Sequence, residues 1–383
     1  MARTAVVVGG GIGGLTAAAA LVHHGWDVTL LEQAPVFTEV GAGLTIWSNA
    51  LAALDTIGLG ETVRSTGSIS GPAGTRTPDG GWLARIPAGR LEAEFGVTAV
   101  GIHRAVLVDL LHAALPDEVL VPGAEVMDVH AEAPVSVAYR RDGGTHQVGA
   151  DLVVAADGIH SLTRRTLWED PGRVRYSGIT AWRAVTPEPW PEQLTSGITW
   201  GRGEEFGAVE LGDGRVYWFG AVNMPQGQRA DDELAEVRRI FGHWHDPIPR
   251  LMDATPAEAV LRNDLFHLDP GPDSYVRGRV VLLGDAAHAM TPHLGQGACQ
   301  AIEDAVVLAA LLDEEPDLDE ALASYDRVRR PRTRSVAKAS RLSGRLGQQL
   351  TNPVAVAVRN RLLRIAPPRT AMAQMARYAT WRP

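Results

Sequence analysis

Four short apolar runs, each stopping at a glycine or an acid, set the pattern of this 383-residue chain. Thr4 to Val8 ends at Gly9, and Asp27 to Leu31 ends at Glu32. Asp151 to Ala155 stops before Ala156-Asp157-Gly158, and Val280 to Leu283 stops at Gly284-Asp285. A run that is apolar throughout predicts a strand buried on both faces of a parallel sheet. Helical spacing follows in Leu15 to His24, closed by Gly25, and in Ala298 to Leu312, where Glu303 and Asp304 are expected on the polar side. Ile102-His103-Arg104 opens another helix, Ala105 to Leu115. Val119 to Val148 alternates around Asp142-Gly143-Gly144, which predicts a small antiparallel meander. From Tyr176 to Leu261 the runs Ile179–Val185, Gly197–Trp200, Phe206–Leu211 and Val216–Val222 predict a mostly antiparallel sheet. Trp182, Trp200, Tyr217, Trp218 and Phe219 stand at or near alternating positions and are expected to give one side of it an aromatic wall. Asp231 to Phe241, Asp319 to Gly347 and Pro353 to Trp381 read as helices, and Gly67 to Gly96 as a loop-and-strand excursion.

The punctuation of these elements carries chemistry. Gly9-Gly10-Gly11-Ile12-Gly13-Gly14 joins the first strand to the first helix, and Glu32 closes the second strand. That is the dinucleotide order of strand, G-x-G-x-x-G, helix, strand and acid. Gly9 makes the tight turn, Gly11 lets the backbone approach a pyrophosphate, and Gly14 allows close packing of helix on strand. Glu32 is the acceptor for ribose hydroxyls, and its charge repels a 2′-phosphate. Asp285 is a carboxylate at the carboxyl end of a core strand, where open α/β sheets bind ligands. After it, Pro292 and Gly295-Gln296-Gly297 lead into a helix N-terminus, which suits something anionic.

Composition narrows the classes. With 45% hydrophobic residues the chain can bury a large core in two or three domains. A net charge of −9 argues against nucleic acid as a partner. Arg327 to Pro383 is the exception, arginine-rich with no acid, and is expected to be solvated arginines on packed helices. Cys299 is the sole cysteine, so no intrachain disulfide forms and a structural role is expected. No signal segment and no apolar run of about 18 residues is present, so a cytoplasmic protein without stable membrane insertion is expected. No metal site is expected.

G-D-A-A-H-x-x-x-P-x-x-G-Q-G, from Gly284 to Gly297, resembles the second flavin-binding motif of the single-component FAD-dependent aromatic hydroxylases, the family of p-hydroxybenzoate, salicylate and urate hydroxylases. The motifs at Gly9 and Asp157 fall in that family's order and spacing. The resemblance implies an α/β fold: a Rossmann-like FAD-binding domain, a mostly antiparallel β-sheet substrate domain and C-terminal helices. It divides the chain into FAD-binding parts at 1–66, 97–175 and 265–325, a substrate-domain excursion at 67–96, the sheet domain at 176–264 and a C-terminal helical segment at 326–383. It also implies FAD as cofactor and NADH or NADPH as a transient electron donor, since no second G-x-G-x-x-G is present.

By the same resemblance Gly41-Ala42-Gly43-Leu44 passes close to the isoalloxazine ring, although Ser48 stands where the family often has proline. Arg104 reaches the ribityl or phosphate region, or is a plain surface arginine at a helix start. Asp157 and Gly158 border the pyrophosphate, although an Asp-Gly turn after any strand would look alike. Gly284, Asp285, Pro292, Gly295, Gln296 and Gln296's neighbour Gly297 frame the flavin. The implied reaction inserts one oxygen atom from O₂ into an aromatic or otherwise apolar small molecule through a flavin C4a-hydroperoxide. On the substrate side, Tyr217 orients or deprotonates a hydroxyl, Arg183 pairs with an anion and His293 relays protons. A packed tyrosine, a strand-surface arginine and a loop histidine would read the same way. An epoxidase, a reductase or a Baeyer–Villiger-type oxygenase on the same fold, or a non-catalytic flavin-binding redox sensor, are the alternatives.

Overall fold

A computed structural model describes residues 2–37, 42–67, 72–94, 96, 98–132, 134–367, 369–370, 372–373 and 375–381 in full, and the backbone alone at 95, 368, 371 and 374. The four apolar runs form the centre of a six-stranded sheet. Its order is Val276–Arg277, Val280–Leu282, Leu152–Ala155, Thr4–Val8, Asp27–Glu32 and Leu120–Pro122. All neighbours are parallel except the first pair. In register, Val6 lies between Val153 and Thr29, and Val280, Val281 and Leu282 are wholly buried. Helices Ile12–His23 and Gly297–Glu314 pack on each other against this sheet and bring both glycine-rich turns to the carboxyl ends of the strands.

The meander Glu125–His130, Val135–Arg141 and Gly144–Ala150 is antiparallel. Its tight turn places Asp142 and Gly143 at φ 52° and 77°, the left-handed pair that a two-residue hairpin loop requires. The aromatic-rich segment forms a seven-stranded sheet in the order Leu261–Leu268, Val174–Val185, Val216–Asn223, Glu204–Glu210, Ser196–Trp200, Ala73–Arg76 and Trp82–Ile86. The last two strands come from the excursion, and only Ala73–Arg76 against Ser196–Trp200 is parallel. The strands Val174–Val185 and Leu261–Leu268 and the helix Leu318–Leu346 run unbroken through the divisions expected at 175/176, 264/265 and 325/326.

The aromatic wall divides between the two faces of this sheet. Register sets Trp182, Phe206 and Trp218 on the outer face, fully buried against Phe241 and Trp244 of the helical segment that begins at Glu233. Phe206 stacks on Trp218 at 5.5 Å and meets Phe241 edge-on at 5.4 Å. The indole N–H of Trp182 donates to Glu233 at 2.7 Å, and that of Trp218 to Thr255 at 2.9 Å. These rings are core, and burying each apolar side chain stabilises the fold by about 1.5–3 kcal/mol. Tyr217 and Phe219, alternating with Trp218, face the other way, toward the parallel domain.

Two expectations about charge are corrected. Glu303 and Asp304 lie wholly buried instead of on an outer polar side, because Arg329 from the long helix reaches them. Its Nη1 lies 2.6 Å from Glu303 and its Nε 2.7 Å from Asp304; Arg332 adds a second bond to Glu303 at 2.6 Å. Both guanidinium groups also lie over the Trp381 ring. Part of the arginine-rich segment is therefore an internal ion-pair network and not a solvated face. Among the described residues, no helix is long and apolar enough to cross a membrane.

Candidate active site

The first glycine turn is shaped as its spacing requires. Gly9 has φ 102°, and a Cβ there would strike the Ala156 carbonyl and Asp157 Cα on the neighbouring strand end. A Cβ on Gly14 would run into the Gly9 carbonyl, so this position sets the distance between helix and strand. Gly11 differs: a Cβ there meets nothing within 4 Å, which leaves backbone at the helix N-terminus open to a ligand. Glu32 lies at the mouth of this turn, accepting from Gly10 N at 2.5 Å and from Ala34 N at 2.7 Å. Asp157 uses one carboxylate oxygen to hold Thr163, through its N–H and its hydroxyl, both at 3.0 Å. Its other oxygen is buried without a hydrogen-bond partner. Gly158 follows with φ 76°.

The second loop lies at the end of the adjacent strand. Gly284 turns at φ 60°, which places Asp285 exposed at the start of the short helix Asp285–His288. The turn is anchored from beneath: Asp304 accepts from Gly284 N at 3.1 Å and from His288 Nε2 at 2.5 Å. Burial opposes ionisation of Asp304, but His288 and Arg329 outweigh it and hold its pKa below the usual carboxylate range. Pro292–Leu294 is one 3₁₀ turn, and Gly295, at φ 59°, gives its N–H to the Pro292 carbonyl at 2.8 Å. That N–H is used inside the loop, which leaves the N-terminus of Gly297–Glu314 to face a ligand. The Gln296 side chain turns inward, accepting from Asn49 and Gln300 at 3.0 Å each, and holds the loop instead of facing the cleft. Gly297, like Gly11, has open space where a Cβ would stand.

Other expected residues converge on these loops. Arg104 begins the helix Arg104–Ala113 and is largely buried; burial lowers its pKa while the charge of Asp285 opposes the shift. Trp47 lends a buried indole N–H without a partner, beside Gly295. Gly43 lies close against the antiparallel sheet: a Cβ there would collide with the side chain of Tyr217. Gly41 lies outside the described residues.

The inner sheet face supplies the rest. Arg183 lies opposite Phe219 across the strand pair and donates to Asn263 at 2.7 Å. Burial raises the Tyr217 pKa, with Arg183 opposing, so the phenol stays protonated at neutral pH and keeps an O–H able to donate a hydrogen bond. His293 packs where Gly344 has no side chain, and burial pushes its pKa down to about 4. It is a neutral imidazole at pH 7, and the expected relay of protons there is not what its surroundings favour. Gln348 donates to Gly203 and Asn223 of the sheet at 3.1 Å each.

Sequence reasoning gives no part to two buried side chains that the structure places at these loops and on the inner face. Arg164, fully buried, ties the two cofactor loops together through the carbonyls of Ile159 and Ala286, both at 2.6 Å. Glu205 shares the inner face, since it pairs with Ala221 and so alternates with Phe206. Its carboxyl accepts from Trp200 Nε1 at 2.7 Å, and burial pushes its pKa up to about 7. The period-2 pattern contained its parity with Tyr217; the register between the two strands did not follow from sequence.

These loops fit FAD. The glycine turns would cradle the pyrophosphate and ring, Asp157 and Glu32 flank the first turn, and Arg104 lies within electrostatic reach of Asp285 in the second loop. The sequence profile of the FAD binding domain family matches residues 2–340. The aurachin C monooxygenase/isomerase of Stigmatella aurantiaca is 40% identical over 365 residues, 94% of each chain. The 2-heptyl-3-hydroxy-4(1H)-quinolone synthase of Pseudomonas aeruginosa is 34% identical, covering 95% of this chain and 94% of its own. Klebsiella pneumoniae HpxO, solved with FAD and uric acid, superposes with a TM-score of 0.90 at 27% identity, over 99% of this chain and 97% of that one. The chain belongs to the FAD-dependent aromatic hydroxylase family and is an FAD-dependent monooxygenase.

Proposed function

We propose that this enzyme hydroxylates a neutral, apolar aromatic molecule larger than a simple phenol, a bicyclic N-heteroaromatic of the 4-quinolone kind being the first candidate, in the cytoplasm. It uses O₂ and NADH or NADPH, with no nucleic acid as partner. FAD, when bound, supplies the capture of electrons from NAD(P)H and the activation of O₂. The observation that carries the substrate class is the inner sheet face, where Tyr217 and Glu205 are both held toward their neutral forms by burial on one wall with Phe219. Such a wall suits a ring with its own N–H and carbonyl better than a dicarboxylate. The two relatives whose names contain aurachin C and a heptyl quinolone support the same class.

The Tyr217 phenol donates to a substrate oxygen, with Arg183 beside it, and Glu205 exchanges a hydrogen bond with a ring N–H or carbonyl. Pro292 and the neutral His293 close the loop side and keep water out.

Glu205 gives a test in pH. Its folded pKa lies above its unfolded value, so its contribution to stability is present below about pH 4.5 and is lost as pH rises through about 7. The difference in unfolding free energy between wild type and Glu205→Gln should shift by about 3 kcal/mol from pH 4.5 to 8, as read from urea unfolding. A difference that stays flat would mean that Glu205 is an ordinary solvated carboxylate.

The function itself is tested by screening substrates for accelerated NAD(P)H oxidation by the flavin-loaded enzyme. 2-Alkyl-4-quinolones and other bicyclic heteroaromatics are expected to accelerate it. Stimulation by small dicarboxylates and by no aromatic compound would overturn the reading.

A further inference from the structure

The helix Pro353–Ile365 buries Val356 and packs against the strand Trp82–Ile86. Its opposite face is apolar and bare. Val354, Val358, Leu362 and Ile365 are 71, 53, 57 and 70% exposed, at a spacing that sets them in one stripe. The last turns of the preceding helix add Leu342 and Leu346, 54 and 58% exposed. Four of the eleven exposed large hydrophobic residues of the described chain therefore share one stripe of this 13-residue helix, and two more lie on the helix before it, which is not scatter.

The charge around the stripe has one sign. Lys338, Arg345, Arg361 and Arg364 are exposed on the same two helices. From Arg327 onward the chain holds 14 of its 36 basic residues and none of its 45 acidic ones. Acids that other elements bring nearby are Asp79, close to Arg364, Glu94, which pairs with Arg369 at 3.0 Å, and Glu204, which lines a cleft with Val356 and Asn360 on the buried side of the helix.

We propose that this face is a docking surface for an anionic lipid bilayer, on which the protein rests with the helix lying in the plane of the interface. The pattern is that of an interfacial helix: an apolar stripe of modest width, flanked by arginines, on a helix too polar to span. A bilayer supplies the apolar layer for the stripe and the anionic layer for the arginines at once. A second copy of this chain fits less well, because a two-fold contact lays the same arginines against one another. The rest of the chain is acidic and is repelled from such a surface, which orients the protein with this face down.

The test is flotation of the flavin-loaded full chain with vesicles of phosphatidylcholine alone or mixed with phosphatidylglycerol, for wild type, Leu362→Asp and Leu362→Ser. Binding to the mixed vesicles and not to the neutral ones is expected. Leu362→Asp should bind about tenfold more weakly and Leu362→Ser several-fold, with FAD retained in both. Equal binding to both vesicle types, or to wild type and variants alike, would overturn the proposal, as would no binding at all. Light scattering that shows a wild-type dimer and a monomeric Leu362→Asp, without vesicle binding, would assign the stripe to a subunit interface instead.

Discussion

Gly11→Val should give a folded, colourless protein. A side chain at Gly11 meets no protein atom within 4 Å, so the substitution leaves the packing of the first helix on its strand undisturbed. It fills the approach to the helix N-terminus, where the pyrophosphate of FAD would take its backbone hydrogen bonds. Losing two charge-assisted bonds costs about 3–6 kcal/mol, or two to four orders of magnitude in FAD affinity. Gly14→Val is the contrasting variant. Its Cβ collides with the Gly9 carbonyl, so helix and strand must separate and the protein should be destabilised as well as colourless. Titration with FAD alongside urea unfolding separates the two. A Gly11→Val protein that retains FAD would mean that this turn does not face the cofactor.

Arg329→Leu should lose about 3–5 kcal/mol of unfolding free energy, because removing one partner of a buried ion pair strands the others in a dry interior. Glu303 keeps Arg332, and Asp304 keeps His288 and the Gly284 N–H, but both lose their shortest path to a fully buried cation. The control is Arg345→Leu, on an exposed turn of the same helix, where a change within about 0.5 kcal/mol is expected. Because Asp304 also holds the Gly284 turn, the Arg329 variant should bind FAD more weakly than the control. Equal urea midpoints for the two variants would show that the network contributes no stability.

What the sequence disclosed and what it hid divide along the range of the interactions. Strands buried on both faces are legible because apolarity alone specifies them, and glycine turns because their backbone conformation excludes other residues. Gly9 takes a left-handed φ, Gly14 lies against the Gly9 carbonyl, and Gly11 leaves open space where a Cβ would stand. Glu303 and Asp304 were misread because their partner lies 25 residues or more downstream on another helix, so helical period alone sent them outward. The aromatic wall was legible as a sheet and not as a face. Tyr217 and Trp218 are adjacent in sequence and point into different cores, and only the pairing of strands decides which lies on the cleft side. For the same reason neither the contact of Gly43 with Tyr217, 174 positions away, nor the place of Glu205 on the inner face follows from sequence.

The central claim is that the inner face of the antiparallel sheet holds an aromatic molecule against a flavin that hydroxylates it. Turnover of the flavin-loaded enzyme under ¹⁸O₂, with NADH or NADPH and the quinolone that most accelerates their oxidation, tests it by mass spectrometry of the product. The account predicts a product heavier by one ¹⁸O atom, and a Tyr217→Phe enzyme that diverts NAD(P)H oxidation toward hydrogen peroxide. NAD(P)H consumed with release of hydrogen peroxide and no labelled product, for every aromatic compound tried, would contradict it.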